Sequence, residues 1–395
     1  MNLRIYLLAV GTFALGTDAF VVAGVLPKIG ADLGVSVSTA GWVVTLFSLT
    51  YGLGAPLLAA LTGRIPRHRL LLGALVVFSL ANVFSAIAPN FEILLLTRIL
   101  AGTSAALYSP TAYFMATSLS TPQKRGQALA TVVAGLTIST VLGVPLGTWI
   151  GQSFNWRITF GLVALLGGVA LGVLALTGIP RIANPPSLGL RARLAPISQP
   201  RVLLALLPVL IWSAGTFILY TYITPFLQQT THLQDTGGLL LAYGLGTVVG
   251  NWSAGLAVDR FGSLPTIASL LVLMIITLGL LPLGATSLWG AIPLLFLWSF
   301  SGWGVFPSQQ HRLLALFPQS ANVILALNNS AFYLGGALGT ATGGLVLSGI
   351  GTGGLSWVGA AFEVVALGGL LLGPNPVRLS RQESETELVP AKAEA

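Results

Sequence analysis

The chain has 395 residues, of which 54% are hydrophobic and only 7% charged. A water-soluble surface takes about 25% charged residues, so the composition excludes a soluble protein and reads as an integral membrane protein. With no cysteine and only three scattered histidines (His68, His232 and His311), disulfides, thiolate metal sites and cysteine nucleophiles are excluded.

A helix needs about 20 apolar residues to cross the hydrocarbon core. Twelve such stretches run in chain order over 5–26, 38–61, 69–88, 92–117, 126–150, 157–179, 203–228, 237–257, 264–284, 288–309, 320–348 and 353–372. The breaks carry Pro, Gly or charge, as in "PKIGADLG", "GRIPRHR", "TPQKRG" and "DRFGSLP". The first stretch has only Arg4 as a basic n-region, no small-residue cleavage site after it and, at about 22 residues, more length than a signal peptide, and reads as a retained helix.

Lys and Arg set the orientation. With a cytoplasmic N-terminus, fifteen of the eighteen fall in cytoplasmic segments, two (Lys28 and Arg157) fall in outer loops, and Arg98 lies within a helix. Both termini are therefore expected inside. The bias also accounts for the net charge of +8 without nucleic acid. The Pro-rich basic segment 181–201 divides the chain into six-helix halves, 1–180 and 202–373, and 374–395 reads as a disordered cytoplasmic tail.

The halves carry a weak internal repeat. "GAPLLAALTGRIPR" from Gly54 aligns with "GNWSAGLAVDRFGS" from Gly250 at a shift of 196, and "GVPLGTWIG" from Gly143 with "GGALGTATG" from Gly335 at a shift of 192. Parallel six-helix repeats are one signature of transporters.

These features resemble the major facilitator superfamily. Its loop signature G-x-x-x-D-R-x-G-R/K appears in the second half as "GLAVDRFG", with Gly255, Asp259, Arg260 and Gly262. The first-half copy departs from it, keeping Arg64 and Arg67 but placing Gly63 and Pro66 where Asp and Gly are usual. "RILAGTSAA" is similar to the R-x-x-x-G stretch of helix 4, with Arg98 and Gly102. "GLTISTVLGVPLGTWIG" resembles the antiporter motif of helix 5, with Gly135, Gly143, Pro145 and Gly147. "TDAFVVAGVLPKIGADLGVS", "GAPLLAALTGRIPR" and "QQHRLLALFP" together look like the bacterial drug and sugar efflux branch, which includes chloramphenicol-resistance and arabinose-efflux-type exporters. The resemblance implies an all-α fold of twelve transmembrane helices in two six-helix bundles, and proton-driven export of a small molecule. It also implies that Arg64, Arg67, Asp259 and Arg260 clasp neighbouring helices as a gate.

Asp18 stands alone in an apolar helix. A charge at the bilayer centre costs about 2.5–3.5 kcal/mol even on the milder scales. Counting from the helix ends near Pro27 and Glu92, Asp18 lies roughly 13 Å deep and Arg98 roughly 9 Å deep. Opposite charges at similar depth predict a pair. Burial favours the neutral acid and a guanidinium favours the carboxylate, so Asp18 is expected to carry the proton and Arg98 to tune it. The alternative is a static pair that orients helices 1 and 4. Glu363, near mid-depth in helix 12, is the other intramembrane acid, expected either protonated or facing the bundle, and Glu92 reads as interfacial.

Gly143, Gly147 and Gly151 on helix 5, Gly335, Gly339 and Gly343 on helix 11, and Gly246 and Gly250 on helix 8 recur every four residues. The spacing predicts close helix approach, with a sliding seam between the halves as its functional form. Pro145 is expected to bend helix 5. Tyr51, Tyr108, Tyr113, Trp212, Tyr220, Trp298, Gln309, Asn328 and Asn329 are the candidate cavity residues, suited to a neutral or amphipathic cargo.

The expected function is proton-coupled export by alternating access, by a monomer whose partners are cargo, protons and lipid. No G-x-x-x-x-G-K-[ST] loop or ligand cluster asks for a nucleotide, metal or other cofactor. A passive uniporter or proton-coupled importer is the alternative. A membrane-embedded enzyme or sensor is more remote, because no clustered carboxylates or Ser/His pairs are present.

Overall fold

A computed structural model describes residues 3–180, 182 and 189–374. Residues 181 and 183–188 of the expected linker 181–201, and residues 375–395 of the expected tail 374–395, lie outside the described residues. Among those described, twelve helices are long and apolar enough to cross a membrane. They are α1 (Leu3–Asp32), α2 (Val37–Leu61), α3 (Arg67–Ala86), α4 (Phe91–Ser118), α5 (Pro122–Ser153), α6 (Trp156–Thr177), α7 (Pro200–Tyr220), α8 (Gly237–Phe261), α9 (Ser263–Gly284), α10 (Leu288–Leu316), α11 (Val323–Gly349) and α12 (Thr352–Leu372). Twelve crossings bring both ends to one face, here the terminal face; the opposite side is the far face.

Local chemistry starts several helices. Asn90 Oδ1 accepts from Ile93 N at 3.0 Å, Asn155 Oδ1 from Arg157 N at 2.9 Å and Ser287 Oγ from Gly290 N at 3.3 Å, each satisfying an otherwise orphan donor. Glu92 sits exposed in the first turn of α4, where the helix dipole favours an anion.

The packing repeats itself. α1 packs on α5 and α6, as α7 does on α11 and α12; α2 and α3 pack on α4, as α8 and α9 do on α10; α3 packs on α6, as α9 does on α12. Adding six to each helix number converts one set into the other, which is the physical form of the sequence repeat. Across the two sets, α2 meets α11 and α5 meets α8. These two contacts exchange under the same operation.

Four expectations are corrected. α1 continues through Pro27 and Lys28 to Asp32, so Lys28 is helical and Asp18 lies fourteen residues from the far end, about 21 Å. The seventh span breaks at Thr221–Tyr222 and resumes as a short helix, Ile223–Thr231. α10 runs to Leu316 and encloses Arg312, which is fully buried rather than in a loop. Its guanidinium donates to Ala205 O at 3.5 Å, Gln309 Oε1 at 3.3 Å and Pro374 O at 2.7 Å. Polar atoms of neighbouring helices thus replace the water that a loop residue would use.

The fourth correction concerns the glycine strips. They lie inside each six-helix set, not between the sets. A Cβ on Gly143 would stand 2.1 Å from Thr17 Oγ1 and one on Gly151 2.3 Å from Val25 Cγ1, both on α1. Cβ atoms on Gly335 and Gly339 would stand 2.2 and 2.1 Å from the carbonyls of Leu210 and Ala214 on α7. Gly246 and Gly250 meet Phe296 and Phe300 of α10 in the same way. The seam between the sets uses other glycines: Gly244 against Thr140 O and Gly52 against Leu334.

Backbone cannot move aside as a flexible side chain can. Gly339→Ala is therefore expected to lower stability by about 1–3 kcal/mol. Gly255→Ala, with nothing within 4 Å of the added atom, is expected to lose none. Thermal unfolding of the two variants in detergent measures the difference.

Pro145 does disturb α5, through a π turn at Ser139–Gly143. The turn falls immediately before Val144–Pro145, where the N–H of Val144 reaches back to Ser139 O. One wide turn absorbs the missing donor and the ring's bulk.

Candidate functional site

Asp18 and Arg98 meet. Arg98 Nη1 donates to Asp18 Oδ1 at 2.7 Å, and both side chains are at most 1% exposed. The other terminal nitrogen, Nη2, donates to Asn82 Oδ1 at 3.1 Å and to Ser85 Oγ at 2.7 Å. Arg98 Cζ lies 4.6 Å from the Phe160 ring centroid, a cation–π contact from α6. Four helices thus converge on one ion pair: α1, α3, α4 and α6.

Asn82, Ser85 and Phe160 were not expected. Asn82 and Ser85 are three residues apart, hence on one face of α3, and that spacing in an apolar segment is the signal that could have found them. Two atoms of the pair have no protein partner, Asp18 Oδ2 and Arg98 Nε. The carboxylate is therefore held through one oxygen only. It lines none of the three cavities described below.

The candidate cavity residues separate into two groups. Tyr51, Tyr113 and Asn329 line one small space of about 30 Å³ with Thr12, Leu15 and Tyr333. There Asn329 Nδ2 donates to Tyr51 Oη at 3.1 Å, and the Tyr51 and Tyr333 rings stack at 3.7 Å, joining α2 to α11. Trp212, Tyr220 and Trp298 belong to a second space of about 10 Å³, an aromatic chamber completed by Phe20, Tyr243 and Trp303. Its rings meet edge-on or tilted, Phe20 to Trp303 at 5.4 Å and Tyr243 to Trp298 at 5.1 Å. The indole N–H groups of Trp212 and Trp298 and the hydroxyl of Thr216 are buried there without a protein partner. These volumes hold about one water each, so the centre is contracted in this conformation and must widen to take cargo.

Tyr108, Gln309 and Asn328 do not line these spaces. Tyr108 Oη donates to Leu8 O at 3.0 Å over Gly11, tying α4 to α1. Gln309 Nε2 donates to Ala205 O at 2.7 Å beside Arg312. Asn328 is fully buried with neither amide atom partnered.

The far side is closed by bonds between the two sets. Tyr220 Oη donates to Phe20 O at 3.2 Å and Thr224 Oγ1 to Gly24 O at 3.3 Å. Gln152 of α5 reaches across to Thr236, where its Nε2 donates to Oγ1 at 3.0 Å and its Oε1 accepts from N at 3.2 Å; within its own set Nε2 also donates to Gly24 O at 2.8 Å. Pro27 has no N–H to give Ala23, and the next carbonyl, that of Gly24, takes these two side-chain bonds. A cavity of about 310 Å³ lies at this mouth, lined by Lys28, Gln152, Gln228, Gln234 and Asp235 among others.

A family model described as the Major Facilitator Superfamily matches residues 8–340. The chain belongs to this superfamily. Its members are transporters, and this chain is a multi-pass membrane transporter, not an enzyme. A chloramphenicol resistance protein of Streptomyces lividans is 37% identical over 265 residues, covering 66% of this chain and 68% of that one. A probable sugar efflux transporter of Helicobacter pylori is 29% identical over 369 residues, covering 92% and 93%. In shape the transporter is similar to the crystal structure of a bacterial homologue of the human lysosomal transporter Spinster, in an inward-facing and occupied conformation. The TM-score is 0.72 over 94% of this chain and 96% of the other, at 17% identity, a likeness of fold.

Within this facilitator, the loop-signature residues stand apart from the ion pair. Asp259 and Arg260 are exposed at the end of α8, with Arg260 Cζ 5.3 Å from the Phe261 ring. Gly262 follows at φ +85°, a left-handed turn that favours glycine and starts α9. Gly255 faces open space. Arg64 is exposed, and Arg67 is half-buried with Cζ 5.9 Å from the Phe114 ring. Among the described residues these side chains form no ion pair, so the expected clasp is not engaged in this conformation. Gly135 and Gly147 of the helix 5 motif pack on α1, at Ala9 O and Val21.

Proposed function

We propose that this transporter is a proton-coupled exporter of a small organic molecule, working by alternating access between residues 1–180 and 202–373. The Asp18–Arg98 pair carries this reading. A buried carboxylate with one free oxygen can accept a proton. Its cation also has two neutral acceptors, Asn82 and Ser85, so it stays solvated when Asp18 becomes neutral. The cycle runs from a proton entering at the far side when that side is open, through neutralisation of Asp18 and outward release of cargo, to proton loss at the terminal side. The Lys and Arg bias supports a cytoplasmic terminal face in the bacterial inner membrane. The aromatic chamber, with its unpaired indole donors, is the cargo site. It suits an apolar body bearing a hydrogen-bond acceptor. The exposed Asp259 and Arg260 clasp neighbouring helices when the terminal side closes.

The test is a panel of sugars, nucleosides and antibiotics, with export from vesicles measured with and without a pH gradient. Export that grows with an inward proton gradient supports the proposal. Gradient-independent flux would make the protein a uniporter, and cargo moving with the protons an importer.

The polar bonds at the far mouth give a separate expectation. Gln152→Ala removes the two bonds to Thr236 that cross between the sets, each worth about 1 kcal/mol. The far-open state should then gain about 5–30-fold in population. The chain contains no cysteine, so Thr216→Cys inside the chamber is a clean reporter. Its labelling by a membrane-impermeant maleimide should rise in the Gln152→Ala background. Unchanged labelling would show that Gln152 does not hold the mouth shut.

A further inference from the structure

Glu363 is the one acid within the spans of the second six helices that the cycle above leaves unused. Its side chain is fully buried, and neither carboxyl oxygen has a hydrogen-bond partner. The carboxyl lies flat against α7: a Cβ on Gly215 would stand 2.4 Å from Glu363 Oε1 and 3.0 Å from its carboxyl carbon. Gly359, one turn earlier on α12, meets the same residue, its added Cβ falling 3.0 Å from Gly215 O. Two glycines thus open a slot in the α7–α12 contact, and an acid fills it.

Among the described residues, no cation faces the slot. α9 carries no charged residue along Ser263–Gly284, nor does the short helix Ile223–Thr231, nor α11. The titratable groups on α7 are Arg201, fourteen residues from Gly215 or about 21 Å, and Tyr220, whose hydroxyl is engaged with Phe20 O. Tyr333 of α11 stacks on Tyr51. Arg312 of α10 reaches Pro374 O, eleven residues beyond Glu363, about 16 Å along the helix. An ionised carboxylate here would have neither counter-ion nor donor, an arrangement proteins avoid by neutralising the group. The acid form is the one this contact accommodates.

The position matters because α7 is the helix that closes the far side. Gly215 lies between Trp212 and Thr216, which line the chamber, and a turn and more before Tyr220, which bonds across to α1.

We propose that Glu363 is a second proton-binding site, whose occupation holds α7 in the far-closed arrangement. The proton comes from far-side water when the slot is open, is trapped as α7 seats, and returns to the same water when α7 lifts again. Glu363 therefore adds nothing to the protons moved per cycle and makes closure sensitive to far-side pH. This function is separate from the coupling proposed for Asp18.

The experiment uses the full chain with Thr216→Cys, in parent and Glu363→Gln backgrounds, labelled with impermeant maleimide in intact cells over a pH series. Comparing backgrounds at each pH cancels the thiol's own ionisation. The parent's labelling should fall on acidification relative to Glu363→Gln, by up to about tenfold per pH unit, the limit for one linked proton. Glu363→Gln should stay at the closed-state level throughout. Coincident pH profiles would overturn the proposal. Infrared spectra of the purified protein provide a check that does not depend on conformational exchange. The parent should show a protonated-carboxyl band that Glu363→Gln lacks, and its absence would overturn the proposal. Asp18→Asn should lose gradient-driven export yet keep the Glu363-dependent profile, so failure of either reading is recognised separately.

Discussion

Asp18→Asn is expected to abolish gradient-driven export while leaving the protein folded. Asparagine matches aspartate in shape and still offers an oxygen to Arg98 Nη1, which now stands 2.7 Å from Asp18 Oδ1. What it cannot do is gain and lose a proton. If the carboxylate couples the gradient to cargo, accumulation against a concentration difference should fall to background. Facilitated movement down a cargo gradient should persist, because the chamber residues are untouched. Parallel uptake assays in vesicles, with and without an imposed pH difference, separate the two. Near-normal coupled export by the variant would remove Asp18 from the coupling role and leave the pair as an orienting contact.

The second large effect is on stability. Arg98→Met should destabilise the protein by about 3–5 kcal/mol, because it leaves Asp18 buried without its cation. Asn82 and Ser85 also lose their donor to Nη2, and Phe160 its cation. Adding Asp18→Asn to Arg98→Met removes the stranded charge, and most of the lost stability should return. Thermal unfolding in detergent across the four members of this cycle gives the coupling energy. The double variant should fold and still fail to couple, which distinguishes loss of fold from loss of chemistry. A single Arg98→Met as stable as the parent would mean that Asp18 is already neutral in this conformation.

These expectations rest on residues of unequal legibility. Asp18 and Arg98 could be read from sequence because a lone charge in an apolar helix has few ways to be stabilised and the two are of opposite sign; their matched depths came from ending helix 1 near Pro27, short of Asp32. The twelve spans followed from hydropathy, since a backbone in lipid must satisfy itself. Asn82 and Ser85 were hidden because small polar residues occur on many helix faces without consequence. Gln152 and Thr236 were hidden for another reason: their bonds depend on how one six-helix set is registered against the other, which no local pattern encodes. The glycine strips show the same limit. Spacing of four announced a smooth face on helices 5 and 11, but not that α1 and α7 would occupy it. Tyr108 and Gln309 looked like cavity residues by type and were instead spent on carbonyls of neighbouring helices.

The π turn at Ser139–Gly143 has a bearing on how the far mouth comes undone. The glycine faces bind α5 to α1 along much of its length, yet the wide turn itself borders α8, where Gly244 lies against Thr140 O. A wide turn holds one residue more than an ordinary α-helical coil. Rewinding it to the usual repeat would swivel Val144–Ser153 by about 100°. Gln152 rides on that swivelling piece and would be turned away from Thr236. A single backbone slip near the middle of the bilayer could thus be felt as an unlatching some nine residues away, about 14 Å along the helix.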